Sequence, residues 1–164
     1  MIKERGNGAN VIVLDAEGRI LVERSRYGET KWMLPGGAIE RGESPSHAAQ
    51  EETEEETGIW IDAEDLHLVA YFVQRPNGIV FLFETNKFSG ILITEPNEEI
   101  LEARFMSVQE IFQNWDLFGL GYKRMILRYL RCKAGIDRVP FEGRLSDAVE
   151  FPRGGEYTDS VLRA

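Results

Sequence analysis

Cysteine is nearly absent from this chain of 164 residues, where Cys132 stands alone. One cysteine excludes an internal disulfide framework and points to a reducing compartment. Histidine is almost as scarce, with His47 and His67 only. Nothing resembles a Cys/His zinc site or a serine-centred triad. No apolar run is long enough to span a bilayer, and the opening Met1-Ile2-Lys3-Glu4-Arg5 lacks the apolar core of a signal peptide. A cytoplasmic location with no membrane partner is the expectation. Positive charge is also in short supply: 19 Lys and Arg stand against 28 Asp and Glu, for a net charge of −9. That balance argues against broad nucleic-acid binding. It leaves room for an anionic small molecule, because bound metal reverses the local sign of an acidic site.

What the chain does have is a dense acidic stretch behind a glycine pair, GGAIERGESPSHAAQEETEEETGI over 36–59. Gly36 and Gly37 let the backbone turn tightly and approach a ligand. Ser44 and Pro45 carry the N-cap and first-position signals of a helix, and Gly58 carries its stop. Between them stand Glu51, Glu52, Glu54, Glu55 and Glu56, with no Lys or Arg over 50–58. Like charges three and four apart destabilise a helix by roughly 0.2–0.5 kcal/mol per pair. Glu52, Glu55 and Glu56 share one face, and Glu51 flanks it through Glu55. Hard divalent cations take oxygen ligands and would turn that repulsion into coordination. A solvated acidic face is the bland alternative.

The stretch resembles the signature of the Nudix hydrolase family: Gly, five residues, Glu, seven residues, then Arg-Glu-aliphatic-any-Glu-Glu-any-Gly-aliphatic. Gly37, Glu43, Glu52, Glu55, Glu56, Gly58 and Ile59 match in register. Thr53 replaces the aliphatic residue, and Glu51 stands where the family has arginine. The resemblance implies an α/β (α+β) fold, an α/β/α sandwich with a mixed central sheet. It implies Mg²⁺ as cofactor, with Mn²⁺ as a substitute, held by Glu52, Glu55, Glu56 and the carbonyl of Gly37. Glu52 is a further ligand or the base, and Glu43 a supporting carboxylate near the helix start. The catalytic set is then Glu52 and Glu55 with one late glutamate. For that role Glu99 is chosen, with Glu98 and Glu102 as competitors. The family arginine braces its neighbouring glutamates by ion pairing, which Glu51 cannot do. Three outcomes are open: an arginine from elsewhere substitutes, Glu51 points to solvent, or turnover is slow or lost.

The rest of the chain reads as one domain of strands and helices. Residues 11–14 and 19–24 read as a β-hairpin about Asp15-Ala16-Glu17-Gly18. Arg24 lies just ahead of the glycine pair, as do Arg26 and Lys31, and it is the candidate for phosphate recognition. Gly36 joins Arg24 as a substrate contact through its backbone. Trp32 opens a strand that ends at Pro35, and a core role outranks base stacking for it. Residues 68–73 and 79–83 read as paired strands about an Asn-Gly turn, covered on both faces. Helices follow over 108–114 and 122–133, the second with an amphipathic, core-facing stripe. The domain is placed at 1–134. Residues 135–164, which show no sustained period, form an extension lying on the domain or on a partner subunit.

The expected reaction is cleavage of the pyrophosphate linkage of a nucleoside diphosphate derivative or a nucleoside triphosphate, with a small nucleotide-type substrate as partner. Two rivals stand beside it. One is a catalytically weak or inactive Nudix-fold module binding nucleotide or protein, motivated by Glu51. The other is an acidic interaction surface without metal. A homodimer is the default assembly.

Overall fold

A computed structural model of the chain describes residues 6–27, 30–74, 78–137 and 141–144. In chain order its elements are β1 (Gly8–Val13), β2 (Ile20–Ser25), β3 (Trp32–Met33), β4 (Gly36–Ala38), α1 (Pro45–Thr57), β5 (Ile59–Trp60), β6 (His67–Gln74), β7 (Gly78–Thr85), β8 (Ser89–Gly90), β9 (Ile100–Met106), α2 (Val108–Gln113), α3 (Leu120–Lys133) and β10 (Phe141–Arg144). Five strands form a mixed sheet in the order β10-β6-β7-β1-β4, and β3-β2-β9 form a second, antiparallel sheet. β5 and β8 make a short ribbon.

Two apolar layers lie on the opposite faces of the mixed sheet. Ala9, Val11 and Val13 of β1 join Leu21 of β2 and Ala48 and Ala49 of α1 in one layer. Ile12, Ala70, Phe72, Val80 and Leu82 join Met125, Ile126, Tyr129 and Leu130 of α3 in the other. Burial on both faces is why these strands read as nearly continuous apolar runs. Helices therefore cover both sides, the α/β/α arrangement expected. No helix among the described residues is long and apolar enough to cross a membrane.

The expected β1–β2 hairpin does not form as a pair. A single bridge joins Leu14 and Ile20, and the corner is tied by Asp15, whose Oδ1 accepts from the N–H groups of Glu17 and Arg19. The strands then diverge into different sheets. β1 is buried from Ala9 to Val13 and sits between β4 and β7, whereas β2 takes β3 and β9 as neighbours. The glycine pair is likewise not a free turn but the strand β4, with Gly36 paired to Asn10 and Gly37 to Ala9. Asn10 secures the crossing by donating from Nδ2 to the carbonyls of Leu34 and Pro35, each at 3.3 Å. β6 and β7 pair antiparallel as read, but the turn residues 75–77 lie outside the described residues. Of the 135–164 extension, 141–144 adds β10 parallel to β6, and 138–140 and 145–164 lie outside the described residues.

Candidate active site

The acidic helix is built by local signals. Ser44 accepts from the His47 N–H at 3.3 Å, Pro45 occupies the first turn, and Gly58 closes the helix at φ 74° with its N–H donating to Glu54 O. Thr53, the replacement for an aliphatic residue, is fully buried without cost in unmet polarity. Its hydroxyl donates to Ala49 O at 2.6 Å, and Thr57 repeats the bond one turn on, to Thr53 O.

Ala48, Ala49 and Thr53 turn one face of α1 inward, and Glu52 and Glu56 border it at four-residue spacing. Glu56 is buried, and its Oε2 accepts from the Gly36 N–H at 3.1 Å. Glu52 is half-buried against Gly37, where a Cβ would lie 2.4 Å from its carboxylate carbon. Gly37 thus leaves the room that Glu52 fills, whereas Gly36 seats Glu56 through its N–H and owes its missing side chain to the close β1 backbone. Gly36, read as a substrate contact, spends its N–H on Glu56. Glu51, Glu54 and Glu55 are exposed on the outer side, with Glu55 close enough to act on Glu52 through its charge. Of the three outcomes for position 51, the solvent-facing one is what the structure shows.

Two further carboxylates, Glu99 and Glu43, complete the setting. Glu99, just ahead of β9, acts through its charge on Glu52 and Glu56. Glu102 does not join it. It lies 3.6 Å from Arg24 and 3.6 Å from Arg104, in register with Arg24 across β2 and β9. Glu98 is exposed. Glu43 accepts from the Glu40 N–H at 2.9 Å and contributes charge to Glu52 from the helix start. His47 hydrogen-bonds Ser44 through Nδ1 at 2.9 Å, and His67 is exposed at the start of β6. Arg24 lies over the buried Trp32 ring at 5.6 Å with Arg104 at 5.0 Å, so Trp32 is a core aromatic under two guanidinium groups.

The residue missed in the sequence is Glu23. It is fully buried on β2, faces Glu56, and has no hydrogen-bond donor on either carboxylate oxygen among the described residues. The signal was strand alternation: Leu21 and Glu23 share the face that packs toward α1, while Ile20 and Val22 face the other layer. Burial, then the Glu56 charge, pushes the Glu23 carboxyl up to about 10. Burial raises Glu56 to about 7 against the opposing bonds from Gly36 and Glu23. Glu52 is raised by burial and then by Glu55 and Glu99. Tyr122 of α3 is lifted to about 12 by burial and by the charges of Glu23 and Glu56.

An all-oxygen donor set with an orphaned buried carboxylate fits a hard divalent cation and not a zinc-type site. Among the described residues no three Asp, Glu, His or Cys side chains are already drawn close enough to enclose an ion. Ligation would need the exposed and half-buried glutamates to swing inward.

Comparison with known proteins bears on the family and the fold. The NUDIX domain profile matches residues 4–128. The chain is 36% identical over 121 residues to Nudix hydrolase 7 of Arabidopsis thaliana, covering 68% of this chain and 42% of that protein. It spans 35% of a Caenorhabditis elegans relative, so well under half the length of both. It is 28% identical over 134 residues to an RNA pyrophosphohydrolase of Psychrobacter cryohalolentis, covering 74% of this chain and 76% of that one. A NUDIX hydrolase structure from Nitrosomonas europaea superposes with a TM-score of 0.65 at 22% identity, over 88% of this chain and 81% of that one, a likeness of fold. The chain therefore belongs to the Nudix domain family.

Proposed function

We propose that this chain is a divalent-cation-dependent pyrophosphohydrolase acting on a nucleoside diphosphate derivative or a nucleoside triphosphate. The observation that carries the reading is the seating of Glu56 on the Gly36 N–H and of Glu52 against Gly37, with the buried Glu23 facing Glu56 and the charge of Glu99 acting on all three. Such a group is tolerated when a cation completes it. Among relatives, an RNA pyrophosphohydrolase and a protein named Phosphatase NudJ point to phosphate chemistry in the same direction.

Glu52, Glu55, Glu56 and the Gly37 carbonyl would hold Mg²⁺, or Mn²⁺ in its place. When bound, the ion neutralises phosphate oxygens and acidifies a coordinated water. The chain supplies the rest. Glu99, exposed in the loop before β9 and near enough for its charge to act on Glu52 and Glu56, would accept a proton. Glu52, steadied against Gly37, is the alternative acceptor. Arg24, beside Trp32, offers charge to the remainder of an anionic substrate. The unit doing this chemistry is 1–134, with 135–164 as an appended arm.

A panel of nucleoside triphosphates, nucleotide sugars and dinucleoside polyphosphates, assayed at fixed Mg²⁺ for phosphate or nucleotide release, tests the reading. Turnover should need the cation and fall more than about tenfold in Glu56→Gln and Glu52→Gln. Tight nucleotide binding without turnover, indifferent to Glu52→Gln, would instead establish the non-catalytic module that Glu51 suggests.

A further inference from the structure

Glu23 needs an explanation that the acidic helix does not give. Its strand neighbours in register are Met33 on β3 and Ala103 on β9, so both lateral walls are apolar. Its side chain is fully buried, neither carboxylate oxygen has a hydrogen-bond partner among the described residues, and the foremost charge acting on it is that of Glu56. Glu56 already has a donor, the Gly36 N–H, whereas Glu23 has none. Two carboxyl groups pressed together in a dry place are costly unless something positive lies between them. An aliphatic residue would suit the surroundings of position 23, since Leu21 on the same face packs in the apolar layer. The carboxylate is an added polar group at an otherwise apolar wall.

We propose that Glu23 is a ligand of a divalent cation it shares with Glu56, an inner carboxylate of the metal site supplied by β2 and not by the acidic helix. One or two carboxylates are a usual protein share of a Mg²⁺ shell, and its remaining oxygens would come from water or substrate phosphate on the half-buried Glu52 side. The orphaned oxygens of Glu23 then gain a partner, and the buried pair gains the counter-charge that position 51 does not provide. The inference rests on the cation-binding reading above and adds to it a ligand outside the family signature of residues 37–59.

The test is Mn²⁺ affinity of the full chain without nucleotide, read by the electron paramagnetic resonance signal of free Mn²⁺, for wild type, Glu23→Gln and Glu56→Gln. Both variants should lose at least about tenfold in affinity. Glu23→Gln is the sharp case, because its amide can still donate to Glu56. Unchanged Mn²⁺ affinity in that variant would show that Glu23 only shares a proton with Glu56, and would overturn the assignment while leaving the metal site intact. Absence of Mn²⁺ binding by the wild type would remove the underlying reading as well. Should Glu23→Gln fail to fold, wild-type crystals soaked in Mn²⁺ decide the matter. An anomalous peak bonded to a Glu23 oxygen supports the assignment, and one bonded to Glu56 but not to Glu23 refutes it.

Discussion

Adjacent glycines should fail in opposite ways when each is given a methyl group. Gly36 has φ 133°, and a Cβ there would lie 2.1 Å from the Ala9 carbonyl oxygen and 2.7 Å from Asn10 Cα. Both obstacles are backbone of the paired strand β1, so no rotation relieves them. The φ value alone costs on the order of 1–3 kcal/mol. With the displaced β1–β4 pairing added, Gly36→Ala should destabilise by at least about 3 kcal/mol, or roughly 6–12 °C in Tm for a chain of this size. Gly37 is different. Its Cβ would meet the Glu52 carboxylate, at 2.4 Å from Cδ and Oε1 and 2.7 Å from Oε2, and Gly37 is not among the positive-φ residues. The obstacle is the free end of a flexible side chain, which can swing away. Reduced freedom of the unfolded chain returns about 0.4–1 kcal/mol. Gly37→Ala should therefore keep its Tm within about 4 °C while cation-dependent kcat/KM falls about 10- to 100-fold, the range for disturbed metal surroundings. Thermal melts in EDTA and turnover in Mg²⁺ on the same preparations measure the two quantities separately. Full turnover in Gly37→Ala, or a Tm loss equal to that of Gly36→Ala, would refute the idea that this glycine exists to seat Glu52.

Glu51→Arg should raise stability by about 0.5 kcal/mol, since it removes like-charge pairing with Glu55 on an exposed helix face and puts an attraction there. A melt showing no rise of about 1–2 °C would contradict this. Turnover should also change, and an unaltered rate would mean position 51 does not tune the site. Asp137 holds Arg131 at 2.7 Å and also pairs with Arg128, and the Arg131 bond is the main cause that keeps its carboxyl below the ordinary value of 3.8. A lowered carboxyl stabilises the fold above its unfolded value and loses that contribution as pH falls through the folded one. Asp137→Asn should thus be less stable than wild type at neutral pH, by on the order of 1–2 kcal/mol. The gap should narrow below about pH 4; denaturant titrations that show a constant gap down to acid would exclude the ion pair as its source.

Local signals were legible in the sequence and long-range placement was not. The helix α1 is written within its own residues by Ser44, Pro45 and Gly58, and all three take the predicted cap positions. The pairing of β6 with β7 follows from two adjacent apolar runs and a turn. The β1–β2 corner misled because Asp15 does make a tight reversal, while the choice of partner beyond it depends on strands far along the chain, β7 for one and β9 for the other. Glu99 and Glu102 looked alike in sequence. Strand register separates them, by setting Glu102 opposite Arg24 and leaving Glu99 before the pairing starts, on the acidic side. Glu23 was hidden for a related reason. A glutamate followed by Arg24 and Ser25 at the end of a strand looks like a solvent-facing position until the faces of that strand are known to be covered.

Strand alternation also decides where neutralising charge cannot come from. Arg24 follows Glu23 directly, and consecutive residues of a strand point to opposite faces. The guanidinium nearest to the acidic group in sequence is therefore turned to the Trp32 side of β2, where Glu102 lies 3.6 Å away. It cannot reach round the strand to brace Glu56, and a slip of one residue would put the carboxylate on the wrong face as well. Glu51, in the position where the family carries its arginine, faces solvent. With both routes closed, the proposed function makes a bound cation the requirement for counter-charge at Glu23, Glu52 and Glu56. That requirement makes cation binding the quantity to measure first, ahead of any substrate.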